Sequence, residues 1–469
     1  LAPDLCVIGA GSAGLSIAAG AVQMGASVVL IERGEMGGDC LNYGCVPSKA
    51  LLAAAKQAAT LRHGADLGVA DVEPVVDFAR VMDHVHGVIA GIAPHDSQER
   101  FEGLGVTVLR ADARFVGPDA VAAGGRIVRA RRFVVATGST ATTPPIAGLA
   151  DIPYLTNETI FENRILPRRL LIIGAGPIGM EMAQAHRRLG ADVTALEALK
   201  PLGKDDPELA AVVLERLAEE GVDIRAEAKI ERAEKTADGY RLTLAGGETI
   251  DGSHLLVAAG RKPNLDGLDL EAANVRYDRR GVEVDQRLRS VSNKRVFAAG
   301  DVAGALQFTH VASYHAGVVI QNALFRLPAK ADHSAIPWVT YTDPELAQVG
   351  MTEAEARKEH GESIRVLRWP FAENDRAMAE RRTDGLVKAV TSKSGRVLGC
   401  GIVGAGAGDL IAPWALAVSG REKVGKLARV VLPYPTRGEA SKRAAGSFYT
   451  PKLYSDRTRW LVRLLARLG

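Results

Sequence analysis

The sequence predicts an α/β fold, because two observations recur along its 469 residues. Short apolar strands alternate with helical segments, and a glycine-rich turn joins a strand to a helix twice, at residues 9–14 (GAGSAG) and 174–179 (GAGPIG). From about residue 336 the pattern changes to a group of strands followed by helices, which is typical of an α+β unit. The length suits roughly two to four domains of 100–200 residues each.

The first glycine-rich turn lies inside a βαβ unit. An apolar strand at residues 5–8 precedes it, and a helix to about Met24 and a second apolar strand follow it. In such a unit the first glycine permits the tight turn, the second lets a pyrophosphate approach, and the third lets the helix pack on the strand. These glycines are Gly9, Gly11 and Gly14. Glu32 ends the second strand, eighteen residues after Gly14, where an acid can accept a hydrogen bond from a ribose hydroxyl.

The second turn repeats this arrangement. Apolar strands are predicted at residues 170–173 and 191–196, and the acid that closes the second one is Glu197, again eighteen residues after the last glycine. The three glycines are Gly174, Gly176 and Gly179. Two such units in one chain indicate either two bound dinucleotides or a duplicated fold with one.

A pair of cysteines lies between the two units. Cys40 and Cys45 precede Pro47, which suits the first turn of a helix, and a segment behind it at residues 49–61 whose Ala and Leu content favours helix. The dipole at a helix N-terminus stabilises a thiolate, so we expect lowered pKa values for these cysteines. Two such thiols, close enough to bond, form a redox pair; the alternative is two structural cysteines. Cys6 and Cys400 are predicted to be inert core residues.

Composition excludes several classes of function. The net charge of +3 is small for this length and predicts no nucleic-acid or membrane-surface role. Four cysteines in so long a chain do not make a secreted disulfide framework, so a reducing, cytoplasmic compartment is expected. The uncharged stretch at residues 5–31 contains five glycines and divides into strand, turn, helix and strand, which argues against a membrane helix or a signal peptide.

The cysteine segment identifies a family resemblance. Residues 37–51, GGDCLNYGCVPSKAL, resemble the redox-active disulfide of the pyridine nucleotide–disulfide oxidoreductases, flavoproteins that include dihydrolipoamide dehydrogenase, glutathione reductase and mercuric reductase. The resemblance implies FAD on the first glycine turn and a nicotinamide nucleotide on the second. It implies that Cys40 exchanges with the substrate, that Cys45 faces the flavin, and that Lys49 lies beside the flavin and pairs with Glu181.

Other segments extend the resemblance over essentially the whole chain. Residues 132–139, which contain Gly138, and residues 255–264 resemble the family's ATG and GRxPN connections, and we expect both mainly to set crossover geometry. Residues 296–301, VFAAGD, resemble the second flavin motif, so Asp301 is expected to bind the ribityl chain; the alternative is an unrelated turn aspartate.

The resemblance implies four segments, the last of which is the family's dimerisation domain. It therefore implies a homodimer whose active site is shared between subunits. The expected boundaries are 1–145 for the first part of the FAD domain, 146–275 for the NAD(P)H domain, 276–333 for the second part of the FAD domain, and 334–469 for the dimerisation domain. Because Glu197 would accept from the adenosine 2′-hydroxyl and repel a 2′-phosphate, NADH is favoured, although nearby Lys200 leaves NADPH possible.

The pattern breaks near the C-terminus. Disulfide-reducing members carry His-Pro-Thr with a glutamate three residues beyond the threonine; here the segment is PYPTRGE at residues 433–439, with Tyr434 in the histidine position and Glu439 retained. A phenol with a pKa of about 10 is a poor base at neutral pH, whereas an imidazole with a pKa of about 6.5 is well matched. This weighs against efficient disulfide reduction. Mercuric reductases also carry a tyrosine near this point, yet they end in a vicinal cysteine pair, and no cysteine follows Cys400.

The sequence therefore predicts an FAD-dependent NAD(P)H oxidoreductase that passes electrons through Cys40 and Cys45. The acceptor is a small disulfide, a soft metal ion or another small molecule, and no resident metal site is expected. The alternative is an electron-transfer flavoprotein subunit that reduces a partner protein.

Overall fold

The computed structural model describes residues 1–304 and 306–468. Its first sheet has five parallel strands, and their order across the sheet is Val296–Ala298, Arg132–Val135, Leu5–Ile8, Val28–Glu32 and Thr107–Arg110. The strand at 296–298 comes after the whole second unit in sequence, yet it pairs with the strand at 132–135. The chain therefore leaves the first unit and returns to it.

The second sheet repeats this plan with four parallel strands. Their order is Val222–Arg225, Asp192–Leu196, Arg169–Ile173 and His254–Val257. Each of the two parallel sheets is accompanied by a three-stranded antiparallel sheet: Ala113–Gly117, Ala120–Ala123 and Arg126–Val128 with the first, and Ile230–Thr236, Gly239–Leu244 and Thr249–Gly252 with the second. The duplicated βαβ plan expected from the two glycine turns is present.

Two short strands tie the parallel units together. Ser139–Ala141 pairs antiparallel with Arg261–Pro263, so the two connections singled out in the sequence form one crossing. A further two-stranded pair is formed by Tyr277–Asp278 and Gly281–Val282.

The C-terminal region is built on an antiparallel sheet. Its strand order is Pro337–Thr340, Glu345–Gly350, Val397–Gly404, Leu386–Ser392 and Ile364–Pro370. Trp414, fully buried, anchors the helices that cover this sheet. The α+β character expected after residue 336 is therefore observed.

Sixteen α-helices are found in the described residues. They are Ser12–Gln23, Gly38–Asn42, Cys45–Leu61, Phe78–Ile92, Gln98–Gly103, Pro177–Arg188, Pro207–Glu219, Thr309–Ala323, Glu353–His360, Asp375–Ala379, Ala407–Leu410, Ala412–Ser419, Gly425–Ala428, Gly438–Ser447, Thr450–Leu453 and Asp456–Leu465. Across the described chain, none of them has both the length and the apolarity needed to cross a bilayer. The helix Cys45–Leu61 packs against Phe78–Ile92 and Pro177–Arg188, which fixes the cysteine segment between the two parallel units.

Candidate active site

The first glycine turn leaves room for a phosphate group. Gly9 has a φ of +104°, and a Cβ there would lie 2.4 Å from the carbonyl oxygen of Ala136; a Cβ on Gly14 would lie 1.8 Å from the oxygen of Gly9. A Cβ on Gly11 would meet only Gly38 Cα, at 3.9 Å. The outer two glycines are thus required by the protein's own packing, whereas the middle one faces open space at the start of a twelve-residue helix, where backbone N–H groups favour an anion.

The second glycine turn has the same geometry. Gly174 has a φ of +104° with Ala258 O at 2.5 Å from its ideal Cβ, Gly179 is closed by Gly174 O at 1.9 Å, and Gly176 has nothing within 4 Å. Because both turns have this open middle position, the structure favours two bound dinucleotides over a duplicated fold that binds a single dinucleotide.

The two acids lie directly beside these turns. Glu32 accepts hydrogen bonds from the backbone N–H of Ala10 at 2.5 Å and of Gly34 at 2.6 Å. Glu197 accepts from Ala175 N at 2.9 Å and from Leu199 N at 3.0 Å. Each carboxylate is therefore fixed at the edge of its turn, as a ribose-binding acid requires.

The two cysteines lie in two separate helices, whereas the sequence predicts a helix only after them. Cys40 lies in the short helix Gly38–Asn42, whereas Cys45 is the first residue of the helix Cys45–Leu61. Tyr43 and Gly44 separate the helices, and Pro47 is the third residue of the second one, in its first turn as expected. Cys45 is exposed and Cys40 is half-buried, whereas Cys6 and Cys400 are completely buried, as expected of inert core thiols.

The two thiols differ in acidity. A hydrogen bond from the Cys40 thiol, with smaller contributions from the Thr309 hydroxyl and the Lys49 charge, lowers the pKa of Cys45 to about 6, although partial desolvation of the sulfur works against this. The same hydrogen bond raises the pKa of Cys40 well above its usual range. The lowered pKa expected for both cysteines is therefore found at Cys45 alone, because two adjacent thiols share one proton.

Lys49 links the cysteine helix to the second unit. Its Nζ lies 2.8 Å from Glu181 Oε2 and 4.3 Å from the ring centre of Tyr341. The other Glu181 oxygen accepts from Tyr341 N at 2.9 Å. The Glu181 side chain is only 5% exposed, and its carboxylate accepts from the Lys49 ammonium and from the Tyr341 backbone N–H. The ion pair with Lys49 compensates for the burial of this carboxylate.

A second network joins the cysteine segment to Asp301. Arg261 lies 3.0 Å from Asp39, the residue before Cys40, and donates to Ser139 Oγ at 2.8 Å. Ser139 Oγ in turn donates to Asp301 Oδ2 at 2.5 Å, and burial raises the pKa of Asp301. Asp301 follows the strand 296–298 that returns to the first sheet, and Gly138 precedes Ser139 with a φ of +68°. The two crossing connections therefore also position side chains at the site.

Tyr434 and Glu439 lie in the C-terminal region and do not take part in the two networks that the described residues form around the cysteines. Tyr434 is 71% exposed, and its hydroxyl donates to Asp375 Oδ2 at 2.9 Å. That hydrogen bond raises the pKa of Tyr434 above its usual value. Glu439 lies in the first turn of the helix Gly438–Ser447. Among the contacts of the described residues, neither side chain bonds to the cysteines of its own chain.

Three contributors were not singled out as site residues from the sequence. Thr309 Oγ1 lies 3.5 Å from Cys45 Sγ, although 264 residues separate the two; Tyr341 covers Lys49; and Arg261 connects Asp39 to Ser139. Thr309 opens the helix Thr309–Ala323, for which the sequence predicts no site residue, and Arg261 belongs to the connection at residues 255–264, which is expected mainly to set crossover geometry. Tyr341 carries no local signal at all, because its role depends on how the C-terminal sheet packs.

Two glycine turns suited to dinucleotides, with a cysteine pair between them, are typical of a flavoprotein disulfide oxidoreductase. The family profile described as pyridine nucleotide-disulphide oxidoreductase matches residues 3–316, and the corresponding dimerisation domain matches residues 336–445. The chain belongs to the pyridine nucleotide–disulfide oxidoreductase family. It is a class I pyridine nucleotide–disulfide oxidoreductase, and members of this family use FAD and NAD(P)H. The dimerisation domain supports a homodimer.

The relatives include proteins of two activities. The chain is 36% identical over 450 residues to the mercuric reductase of Lysinibacillus sphaericus, covering 95% of this chain and 82% of that protein. It is 35% identical over 467 residues to the dihydrolipoyl dehydrogenase of Geobacillus stearothermophilus, covering 94% and 95%. Among solved structures, the Cu(II) complex of the HOCl-induced flavoprotein disulfide reductase RclA from Escherichia coli matches with a TM-score of 0.85 and 27% identity, over 94% of this chain and 98% of that one.

The acidity of Cys45 gives a first prediction. In reduced enzyme, alkylation of Cys45 should rise with pH through a midpoint near 6 and then level off, because only the thiolate reacts and its pKa is lowered. Cys40→Ala removes the main donor and should move the midpoint upward. Peptide-resolved mass spectrometry after timed alkylation measures both, and a wild-type midpoint near the ordinary value of about 8.5 would contradict the assignment.

Proposed function

We propose that the enzyme uses NADH to reduce a thiol-reactive acceptor, and that a soft metal ion is preferred over a small disulfide. The observation that carries the preference is Tyr434. Its phenol is bound to Asp375 and has a raised pKa, so it is a poor proton carrier at neutral pH. Exchange with a disulfide requires a proton for the departing thiolate, whereas capture of a metal ion by thiolates requires none.

The residues around the cysteines suit this chemistry. The first glycine turn, Glu32, Gly138 and Asp301 would hold FAD, and the second turn, Glu181 and Glu197 would hold the nicotinamide nucleotide. FAD, when bound, carries two electrons from the nicotinamide to the cysteine pair. Cys45 supplies a thiolate at neutral pH, Lys49 balances its charge, and Cys40 contacts the acceptor.

The net reaction balances with NADH as the only reductant. For Hg(II), NADH gives two electrons, the metal becomes Hg(0), and NAD⁺ and one proton are released. The relatives support this choice, since mercuric reductases and a reductase solved as a Cu(II) complex are among them. Reduction of a disulfide by the same dithiol is the second candidate, because dihydrolipoyl dehydrogenases match equally well over the chain.

An acceptor panel tests the proposal. NADH oxidation is followed with Hg(II), Cu(II), oxidised lipoamide, glutathione disulfide and a quinone, with Cys40→Ala as the control that removes the exchanging thiol. We expect turnover with a metal ion on the order of 10 s⁻¹, and disulfide turnover about 10²-fold lower or less. Equal turnover with a disulfide would overturn the metal preference, and activity with dyes alone would favour a partner protein as acceptor.

Nucleotide choice gives a second prediction. Glu197 is fixed at the second turn by two backbone donors, so it should accept from a 2′-hydroxyl and repel a 2′-phosphate. We expect a higher kcat/KM for NADH than for NADPH and a smaller ratio in Glu197→Ala. Lys200→Ala is the control, since removing this exposed cation should weaken NADPH use without harming NADH. A wild-type preference for NADPH would show that Glu197 does not decide selectivity.

We further infer that Tyr434 and Glu439 act in the active site of the other protomer. Both lie in the region matched by the dimerisation domain, and within the described part of the chain neither side chain bonds to the cysteines of its own chain. We also propose a cytoplasmic location and four domain segments, with boundaries at 1–145, 146–275, 276–333 and 334–469. The location is supported by the two reactive thiols, which must cycle in a reducing compartment.

A further inference from the structure

The helix Asp456–Leu465 follows the last strand of the chain in sequence and is almost entirely exposed. Of its ten residues, all but Thr458 are exposed. Large apolar side chains are among them: Trp460 is 62% exposed and Leu465 is 54% exposed, and Leu468 just after the helix is 78% exposed. Contiguous exposed apolar surface of this kind marks an interaction site.

The side chains divide into two faces. Residues three or four apart lie on the same side of a helix. Trp460 and Leu464 therefore lie in one row behind Asp456, Leu461 and Leu465 lie in the adjacent row behind Arg457, and Arg459 and Arg463 lie in a row that flanks them. The helix is thus amphipathic, with an aromatic and leucine face bordered by guanidinium groups.

The positive charge of the protein is concentrated here. Residues 450–468 hold five basic residues and one acid, a net charge of +4, against +3 for the whole chain. The remainder of the chain is therefore close to neutral. The one acid, Asp456, lies in the first turn, and apart from Thr458 the rest of the helix is basic or apolar.

This chemistry favours a lipid surface over a second copy of the chain. The match to the dimerisation domain ends at residue 445, before the helix begins. Two such helices packed antiparallel and face to face would bring their arginine rows together, which is unfavourable. An anionic bilayer offers both anionic headgroups for Arg459 and Arg463 and an apolar interior for the leucines, and tryptophan favours that interface.

We propose that the helix Asp456–Leu465 binds peripherally to the surface of an anionic phospholipid bilayer and holds the enzyme there. Ten residues span about 15 Å, half of a hydrocarbon core, so the helix lies in the plane of the surface instead of crossing it. This proposal does not depend on the identity of the electron acceptor.

Vesicle binding by the full chain loaded with FAD tests the proposal. Co-sedimentation is measured with vesicles of phosphatidylglycerol and phosphatidylcholine, and with phosphatidylcholine alone. We expect binding to the anionic vesicles only, weakened by salt. Arg459→Glu with Arg463→Glu should reduce the partition coefficient at least about tenfold, and Trp460→Ser with Leu464→Ser should also reduce it.

A matched charge reversal serves as control. Lys358→Glu with Lys393→Glu changes the same charge on exposed positions of the C-terminal region and should leave binding within about twofold. Equal or absent binding to the two kinds of vesicle overturns the proposal. Analytical ultracentrifugation of all variants identifies the competing occupant: loss of the dimer in Trp460→Ser with Leu464→Ser, without vesicle binding by the wild type, assigns the apolar face to a second copy.

Discussion

Cys45→Ser and Cys40→Ser should each abolish turnover with thiol-dependent acceptors, a loss on the order of 10⁴-fold or more. Neither dithiol nor disulfide can form with one sulfur, so electrons from NADH have no route to an acceptor bound at Cys40. Reduction of artificial dyes, which take electrons without thiols, should remain. Steady-state NADH oxidation with the best acceptor of the panel and with a dye, measured for both variants, checks this.

Spectra should separate the two cysteines. Because Cys45 is the thiolate of the pair and is expected to face the flavin, Cys40→Ser should show long-wavelength absorbance without any reductant, helped by a serine hydroxyl that can still donate to Cys45. Cys45→Ser should show none even after NADH. Cys400→Ala removes a buried thiol outside the site and should change neither spectrum nor rate. The reverse assignment of the two spectra would exchange the roles of Cys40 and Cys45.

Much of this site could be predicted because its signals are local. A glycine turn, the strand before it and the acid eighteen residues later are set by backbone geometry over a few residues. The same holds for the short spacing of Cys40 and Cys45. The predicted strands at 5–8, 170–173 and 191–196 agree with the observed ones to within a residue at each end.

The remaining contacts depend on distant packing. Thr309 reaches Cys45 only because the helix Thr309–Ala323 follows the strand that returns to the first sheet. The sequence predicts a lowered pKa for Cys40 because a helix dipole is a local signal; in the structure the hydrogen bond with the Cys45 sulfur raises the pKa of Cys40 instead. The whole-chain charge likewise concealed a basic helix at the C-terminal end, because composition averages over position.

Tyr434→His should raise activity with oxidised lipoamide or glutathione disulfide. An imidazole has a pKa near neutrality and can carry the proton that the phenol holds too tightly, and such groups typically contribute about 10²–10⁴-fold. The structure adds a condition: Tyr434 is bound to Asp375, so the new ring can be oriented by either Asp375 or Glu439. Disulfide turnover in Tyr434→His, alone and combined with Asp375→Asn or Glu439→Gln, identifies the orienting acid.

Tyr434→Phe supplies the opposite test. If the hydroxyl helps to bind or position a metal ion, this variant should lower Hg(II) turnover while dye reduction stays unchanged, because the ring and its packing are kept. Disulfide turnover in Tyr434→Phe should instead stay unchanged, because a phenol with a raised pKa contributes little proton transfer at neutral pH. Measuring both variants against both acceptors gives four rates. Wild-type disulfide turnover on the order of 10 s⁻¹ or more would show that another group already supplies the proton, and that Tyr434 does not limit the reaction.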